Sequence, residues 1–321
     1  MPKTHKVLDV VRALKHARSA IVIPHEDPDG DSLGATIALG LVMERQKSEV
    51  YYFSRDKISR TYDFLPRVDR FRAKSPPKGP ADVAIVCDCG DIKRIGEGVD
   101  IRRLARRIIN IDHHLENGLF GDINLIKQVS SASEIAYGVC KKMGVLTREI
   151  ATCLYTGIMM DTGNFRYDNT TATTFRIASD LVRHGANSFQ IAASIHERQS
   201  LPGMKILGEV ISKTELFADG RVAVGTLLPS HFPGGKANGA ELPQIVDYLR
   251  SINGVEVGIL FRVLTQGRVK INFRAKHFFN VQSVAKFFGG GGHKKASACV
   301  VSGKLDDVKK QVLEKVCQQF Q

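Results

Sequence analysis

The chain has 321 residues, 43% of them hydrophobic and 25% charged, an ordinary globular composition with length enough for two cores. It holds no low-complexity tract or short-period repeat, which excludes a solenoid, and no run near the ~18 to 20 apolar residues that a spanning helix needs. Lys and Arg number 46 against 33 Asp and Glu, and the formal charge of +13 favours an acidic partner such as nucleic acid or a phosphorylated small molecule.

The opening MPKTHKVLDVVRALKHA sets Val7, Val10, Val11 and Leu14 at helical spacing and is predicted as an amphipathic helix rather than a signal peptide. A strand at 20–23 is followed by a loop and a helix starting near Ser32. Further apolar strands are predicted at 50–53, 83–86 and 108–111, then helices at 132–143 and 147–160. Continuous apolar strands alternating with helices indicate an α/β fold with a mainly parallel sheet and helices on both faces. A helical stretch at 189–210, interrupted at Leu201-Pro202-Gly203, marks the inter-domain connection. Beyond it come a hairpin around Ala218-Asp219-Gly220, a helix at 243–252, and a second hairpin around Gln266-Gly267. A short helix at 281–288, four glycines, a strand at 296–301 and a helix at 305–319 complete a smaller α/β domain. The expected domains are 1–195, a linker helix region at 196–214, and 215–321. Arg102, Arg103, Arg106 and Arg107 are predicted to share a helix as a solvated basic face.

Six cysteines, Cys87, Cys89, Cys140, Cys153, Cys299 and Cys317, mostly sit in apolar runs and read as reduced thiols of a soluble cytoplasmic protein. Cys87-Asp88-Cys89 lacks a zinc-site spacing, and alternate residues of a strand point to opposite faces.

Four polar clusters carry the chemistry. They are His25-Glu26-Asp27-Pro28-Asp29-Gly30-Asp31, Asp88 with Asp91, Asp112-His113-His114, and Asp161-Thr162-Gly163. Three follow predicted strands directly and the fourth follows an apolar helix. Ligands of open α/β sheets bind beyond the carboxyl ends of the strands, so a parallel sheet gathers these clusters at one edge. So many carboxylates together repel one another unless cations compensate, and a pair of divalent metals does so. Carboxylates with imidazoles and no thiolate favour Mn²⁺ or Mg²⁺, with Fe or Co admissible. Each residue also has a plainer reading. Asp31 and Ser32 are acceptable helix caps, Asp88 and Asp91 acceptable turn residues, and Asp161 the start of an Asx-turn. Four such coincidences, each at the end of an apolar element, are harder to account for than one shared site.

These four clusters, in this order, resemble the motifs of the DHH phosphoesterase superfamily, and Gly289-Gly290-Gly291-Gly292-His293 resembles the glycine-rich motif of its associated substrate domain. The likeness spans essentially the whole chain, and its two-domain length is most similar to the nanoRNase group of oligoribonucleases and pAp phosphatases. The resemblance implies two divalent metals, Mn²⁺ first, with Mg²⁺ or Co²⁺ as alternatives. His25, Asp29 and Asp88 would hold one; Asp31, Asp88, His113 and Asp161 would hold the other, with Asp88 bridging. It further implies that Asp112 orients the site, that His114 contacts the scissile phosphate or assists proton transfer, and that Asp91 supports the site. Arg274, Gly290, Gly291, Gly292 and His293 would bind substrate, with Lys276, Lys294 and Lys295 as weaker candidates. The implied substrates are short RNA or DNA oligonucleotides and nucleotide phosphates, cut to mononucleotides, with no membrane partner and a homodimer by analogy. Linear or cyclic dinucleotides, single-stranded DNA, and pyrophosphate or polyphosphate are alternative substrates. A non-catalytic nucleic-acid-binding module is the reading from another class, although 7% aromatic content and no Trp give little for bases to stack on. Glu26-Asp27, Ala275 and Ala296-Ser297-Ala298 depart from the superfamily pattern near substrate contacts and not at metal ligands.

Overall fold

Short apolar runs that alternate with helices bury themselves best as a parallel sheet with helices laid across it. The computed structural model describes residues 4–74, 79–114, 116–232, 244–265 and 267–320, which fall into two compact units, Met1–Glu197 and Arg198–Gln321.

The first unit runs α1 (Val7–His16), β1 (Ser19–Ile23), α2 (Gly30–Arg45), β2 (Glu49–Tyr52), β3 (Ala81–Cys87), α3 (Ile101–Leu104), β4 (Ala105–Asp112), β5 (Ile123–Ile126), α4 (Ala132–Met143), α5 (Arg148–Asp161), α6 (Ala172–Arg183) and α7 (Ser188–His196). The five strands pair only in parallel, in the order β2-β1-β3-β4-β5. The chain steps outward from β1 to β2 and returns on the other side at β3. That reversal opens a crevice at the carboxyl ends of β1 and β3, where such sheets bind ligands. One face of the sheet, with Val22, Ile85, Cys87, Ile109 and Ile111, packs against α1, α2, α4 and α5. The other, with Ile21, Ile23, Ala84, Val86 and Ile108, is covered by Ile95, Ile101 and Leu104 from short helical turns. Every residue of α2 from Gly30 to Met43 is buried, as expected of a helix at the centre of a unit.

The second unit contains α8 (Leu201–Ser212), β6 (Glu215–Phe217), β7 (Val222–Leu227), α9 (Ile245–Ser251), β8 (Val257–Val263), β9 (Arg268–Ala275), α10 (Val281–Phe287), β10 (Gly291–Gly292), β11 (Ala296–Ser302) and α11 (Leu305–Cys317). Its sheet order is β10-β11-β9-β8-β7-β6, with β7 and β8 parallel and every other pair antiparallel. α10 and α11 cover one face and α8 and α9 the other. The segment read as a linker therefore includes a helix whose Ile206, Leu207 and Val210 belong to this unit's core.

Several local expectations need correction. Arg106 and Arg107 do not continue a helix with Arg102 and Arg103. They begin β4, where Arg107 lies opposite Val83, because the apolar run behind them pairs with β3. α2 starts at Gly30, since Asp29 and not Asp31 caps it, accepting the Asp31 and Ser32 N–H groups at 3.0 Å. β5 and α6 were not foreseen. β5 has four residues, and α6 buries only Thr174, Ile177, Ala178 and Leu181. Pro243, in the helix expected at 243–252, and Gln266, in the second hairpin turn, lie outside the described residues.

Candidate metal centre

The loop after β1 delivers three groups. The His25 Nδ1 lies 2.6 Å from the Glu26 carbonyl, which only accepts, so Nδ1 carries the hydrogen and Nε2 faces the site. Asp29 follows at the α2 cap. Asp31, in the first turn of the helix and buried, accepts the Ala132 N–H at 2.7 Å and the Ser133 N–H at 2.9 Å. Those amides are the first two of α4, so the helix end both fixes the carboxylate and favours its charge. Gly157 of α5 makes this approach feasible. A Cβ there would overlap the Ser133 hydroxyl and stand 2.8 Å from Asp31 Oδ1.

Asp88 turns immediately off β3 with φ 58° and is buried. Its Oδ2 lies 3.4 Å from His25 Nε2, and its Oδ1 lies 3.4 Å from His113 Nε2 and 3.6 Å from His114 Nδ1. His113, just past β4, sets Nδ1 3.2 Å from the Val129 carbonyl, which turns Nε2 toward Asp88 and toward Asp161 Oδ2 at 3.5 Å. Asp161 is the last residue of α5. Behind them, Asp112 receives the His114 Nδ1 hydrogen at 2.6 Å and the Asn117 amide at 2.6 Å.

The pattern of distances fits cations better than hydrogen bonds. Ring nitrogens stand 3.4 to 3.9 Å from the carboxylate oxygens of Asp29, Asp88 and Asp161, beyond ordinary hydrogen-bond length. Two ligands each ~2.1 Å from one ion are themselves roughly 3.0 to 3.4 Å apart. Asp88 Oδ1 is buried and accepts no ordinary hydrogen bond from any described residue. Three trios close enough to share an ion contain Asp88; in two of them its partners are His25 with Asp29, and Asp31 with His113, and in the third they are Asp112 and His114, which already bond each other.

Protons balance the charge when metal is absent. Burial works against protonating His25, but Asp88 and Asp29 outweigh it and push its pKa up to about 9. Burial likewise opposes protonating His113, and Asp88, Asp161 and Asp31 together raise it to about 11. Burial, followed by Asp88, raises Asp31 to about 7. Burial also raises Asp161 well above its ordinary range, helped by Asp31 and Asp88, whereas His113 and His25 override burial to hold Asp88 well below it. The stability that His25 gains as a cation is complete below pH 6.5 and is lost as pH rises through about 9. Ionising Asp31 acts in the same direction as pH rises from 3.8 through about 7, because its folded-state pKa is raised. We therefore expect the melting temperature of EDTA-treated protein to fall, by on the order of 5 °C, between pH 6 and 9.5. Saturating Mn²⁺ should flatten that fall, since a bound cation replaces the protons. Parallel melting profiles with and without metal would contradict this account.

Residues 19–158 match the family model described as DHH family, N-terminal domain, and residues 219–321 match the DHHA1 domain. Over 311 residues the chain is 30% identical to the bifunctional oligoribonuclease and PAP phosphatase NrnA of Thermus thermophilus, covering 96% of this chain and 92% of that protein. The chain belongs to the DHH phosphoesterase family. The NrnA of Bacillus subtilis is 26% identical over 300 residues, covering 91% of this chain and 92% of the relative. The crystal structure of an exopolyphosphatase-related protein from Bacteroides fragilis superposes with a TM-score of 0.89 at 26% identity, over 98% of this chain and 96% of that one. As a DHH phosphoesterase the chain is a hydrolytic enzyme of the nuclease and phosphatase kind, with a buried acidic and histidine cluster suited to divalent metal. Among the described residues no helix is long and apolar enough to cross a membrane.

The remaining candidates of the DHH enzyme behave differently. Asp91 caps a short helical turn through the Lys93 N–H at 3.0 Å, which accounts for it without the metal site. In the second unit, Arg274 is not the exposed strand arginine of the plain reading. Its Nε faces Asp247 at 3.4 Å and its Nη1 donates to the Phe273 carbonyl at 3.1 Å. A Cβ at Gly290 would stand 2.5 Å from Cys299 Cβ, and one at Gly292 2.5 Å from the Ala296 carbonyl, so both glycines serve the packing of β11. Gly291 has open space around it, and His293 holds the turn through its N–H to the Ala296 carbonyl at 2.7 Å. Two amides were missed in the sequence. Asn117 steadies Asp112, and Asn169 joins the carbonyls of Asp161 and Ser130 at 3.1 and 3.0 Å. Isolated amides in polar loops carry no periodicity to mark them.

Proposed function

We propose that this DHH enzyme uses two divalent metals to hydrolyse phosphoester bonds in short 5′-phosphorylated oligonucleotides, releasing mononucleotides, and that it also dephosphorylates pAp. The observation that carries the reading is the sharing of Asp88 between two ligand trios. His25, Asp29 and Asp88 would hold one ion, and Asp31, Asp88, His113 and Asp161 the other. The all-oxygen and imidazole donor set suits Mn²⁺ first, with Mg²⁺ or Co²⁺ next. Such a pair, when bound, supplies Lewis acidity to the phosphoryl oxygens and makes water nucleophilic near neutral pH. The chain's own groups do the rest. Asp31, pinned by two amides, and Asp88, on its turn, keep the ligands in place without reorganisation. Asp112 holds one proton on His114 Nδ1, and a second proton on Nε2 would let His114 contact the scissile phosphate or protonate the leaving oxygen. Arg274, Gly291 and His293 are the residues we assign to substrate, Arg274 through its planar fork. The names of the two NrnA relatives support this substrate class, and six free cysteines suit a cytoplasmic setting.

A substrate panel tests the reading. With Mn²⁺, 5′-labelled RNAs of graded length, matched DNAs, pAp, a linear dinucleotide, pyrophosphate and polyphosphate are compared. The shortest oligonucleotides should be cut fastest, whereas cleavage of long strands alone, or of pyrophosphate alone, overturns it. Arg274→Ala should raise KM about tenfold, the worth of one charged phosphate contact, and leave metal content unchanged. A variant that loses metal, or keeps the wild-type KM, removes Arg274 from substrate binding.

A further inference from the structure

A second cationic recess lies at the opposite end of the parallel sheet. His5, Asp9, Arg12 and His16 recur at spacings of four, three and four, which puts them on one stripe of α1 and its entry. Arg107, near the start of β4, faces that stripe, and Ala13 and Ile123 form the floor of a cavity of about 340 Å³. Arg107 and Asp112 lie on the same strand five residues apart, so the recess is about 16 Å from the metal centre along β4.

Three neighbouring arginines are engaged by local carboxylates, whereas the two that line the recess are held less closely. Arg102 makes two bonds to Asp122 at 2.7 and 2.8 Å, Arg103 pairs with Asp100 at 3.1 Å, and Arg106 stands 3.7 Å from Asp82. Arg107 makes no ion pair within 4.0 Å among the described residues, although its charge helps to hold the Asp122 carboxyl below its ordinary pKa. Arg12 has only Asp9 at 3.7 Å, and the other Asp9 oxygen takes the Lys6 N–H at 2.9 Å. The imidazoles are oriented as well. The Asn124 N–H donates to His5 Nδ1 at 3.1 Å, so His5 carries its hydrogen on Nε2. His16 donates from Nδ1 to the Arg12 carbonyl at 2.7 Å, which leaves its Nε2 outward.

We propose that this recess is a second binding site, separate from the metal centre, for a phosphate monoester of nucleotide size. Two guanidinium groups and the His5 donor match the several oxygens of a terminal phosphate. The Ala13 and Ile123 floor offers apolar area to the sugar or base, and the volume lies at the lower end of small-ligand pockets.

Calorimetric titration of the full chain in EDTA, with AMP, inorganic phosphate and adenosine as probes, tests the site. AMP should saturate it, and Arg12→Gln with Arg107→Gln should weaken AMP binding at least tenfold while turnover of a dinucleotide in Mn²⁺ stays within twofold. Adenosine should not bind at the same concentrations. Equal AMP affinity in wild type and variant, or adenosine binding as tightly as AMP, overturns the proposal. Inorganic phosphate binding as tightly as AMP overturns its nucleotide-sized part. Both single variants change exposed side chains, so each reads the site should the double variant misfold.

Discussion

Asp88→Asn is expected to lower turnover by on the order of a thousandfold or more and to strip metal from the protein, while the fold persists. Asp88 is the one carboxylate within reach of both trios, so neutralising it weakens both positions at once. Asparagine is a better probe than alanine because the residue sits at φ 58°, a left-handed conformation that Asp and Asn tolerate. Alanine would add strain of roughly 1 kcal/mol and confuse loss of charge with loss of backbone preference. Metal content by plasma mass spectrometry, circular dichroism and initial rates on a dinucleotide separate the effects. His114→Ala is the contrast, expected to lose rate and keep metal. An Asp88→Asn protein that retains metal and more than a tenth of the rate would sink the bridging role.

Gly157→Ala should destabilise the catalytic unit by about 2–4 kcal/mol, a loss of roughly 5–10 °C in melting temperature. Helix propensity argues the other way, since alanine is favoured over glycine by about 1 kcal/mol inside a helix such as α5. Packing wins because the added methyl meets the Ser133 hydroxyl and Asp31 Oδ1, which cannot recede without breaking the bonds from α4. Metal affinity should fall with stability, as Asp31 is displaced. Adding Ser133→Ala removes the worst overlap and should restore part of both. A Gly157→Ala protein that melts at or above the wild-type temperature would contradict the close approach of α2, α4 and α5.

The parallel sheet and the place of its crevice were legible because each polar cluster follows an apolar run, and the strand order then brings β1, β3 and β4 side by side. Elements with weak periodicity were not legible. β5 is only four residues long, and α6 shows the core a narrow stripe. Arg106 and Arg107 read as helical because their neighbours Arg102 and Arg103 are, and only pairing with β3 settles the matter. Gly290 and Gly292 also let β11 approach, a relation between chain segments that no local spacing encodes.

The two amides that hold Asp31 also limit how that carboxylate binds an ion. With one oxygen accepting from Ala132 and the other from Ser133, Asp31 has little freedom to swing into a two-oxygen embrace. Calcium relies on such embraces and on six to eight oxygens at roughly 2.3–2.6 Å, whereas smaller ions accept single-oxygen ligands at shorter range. The clamp on Asp31 thus makes the centre a size filter, one that should leave calcium a poor occupant and a weak inhibitor even at millimolar excess.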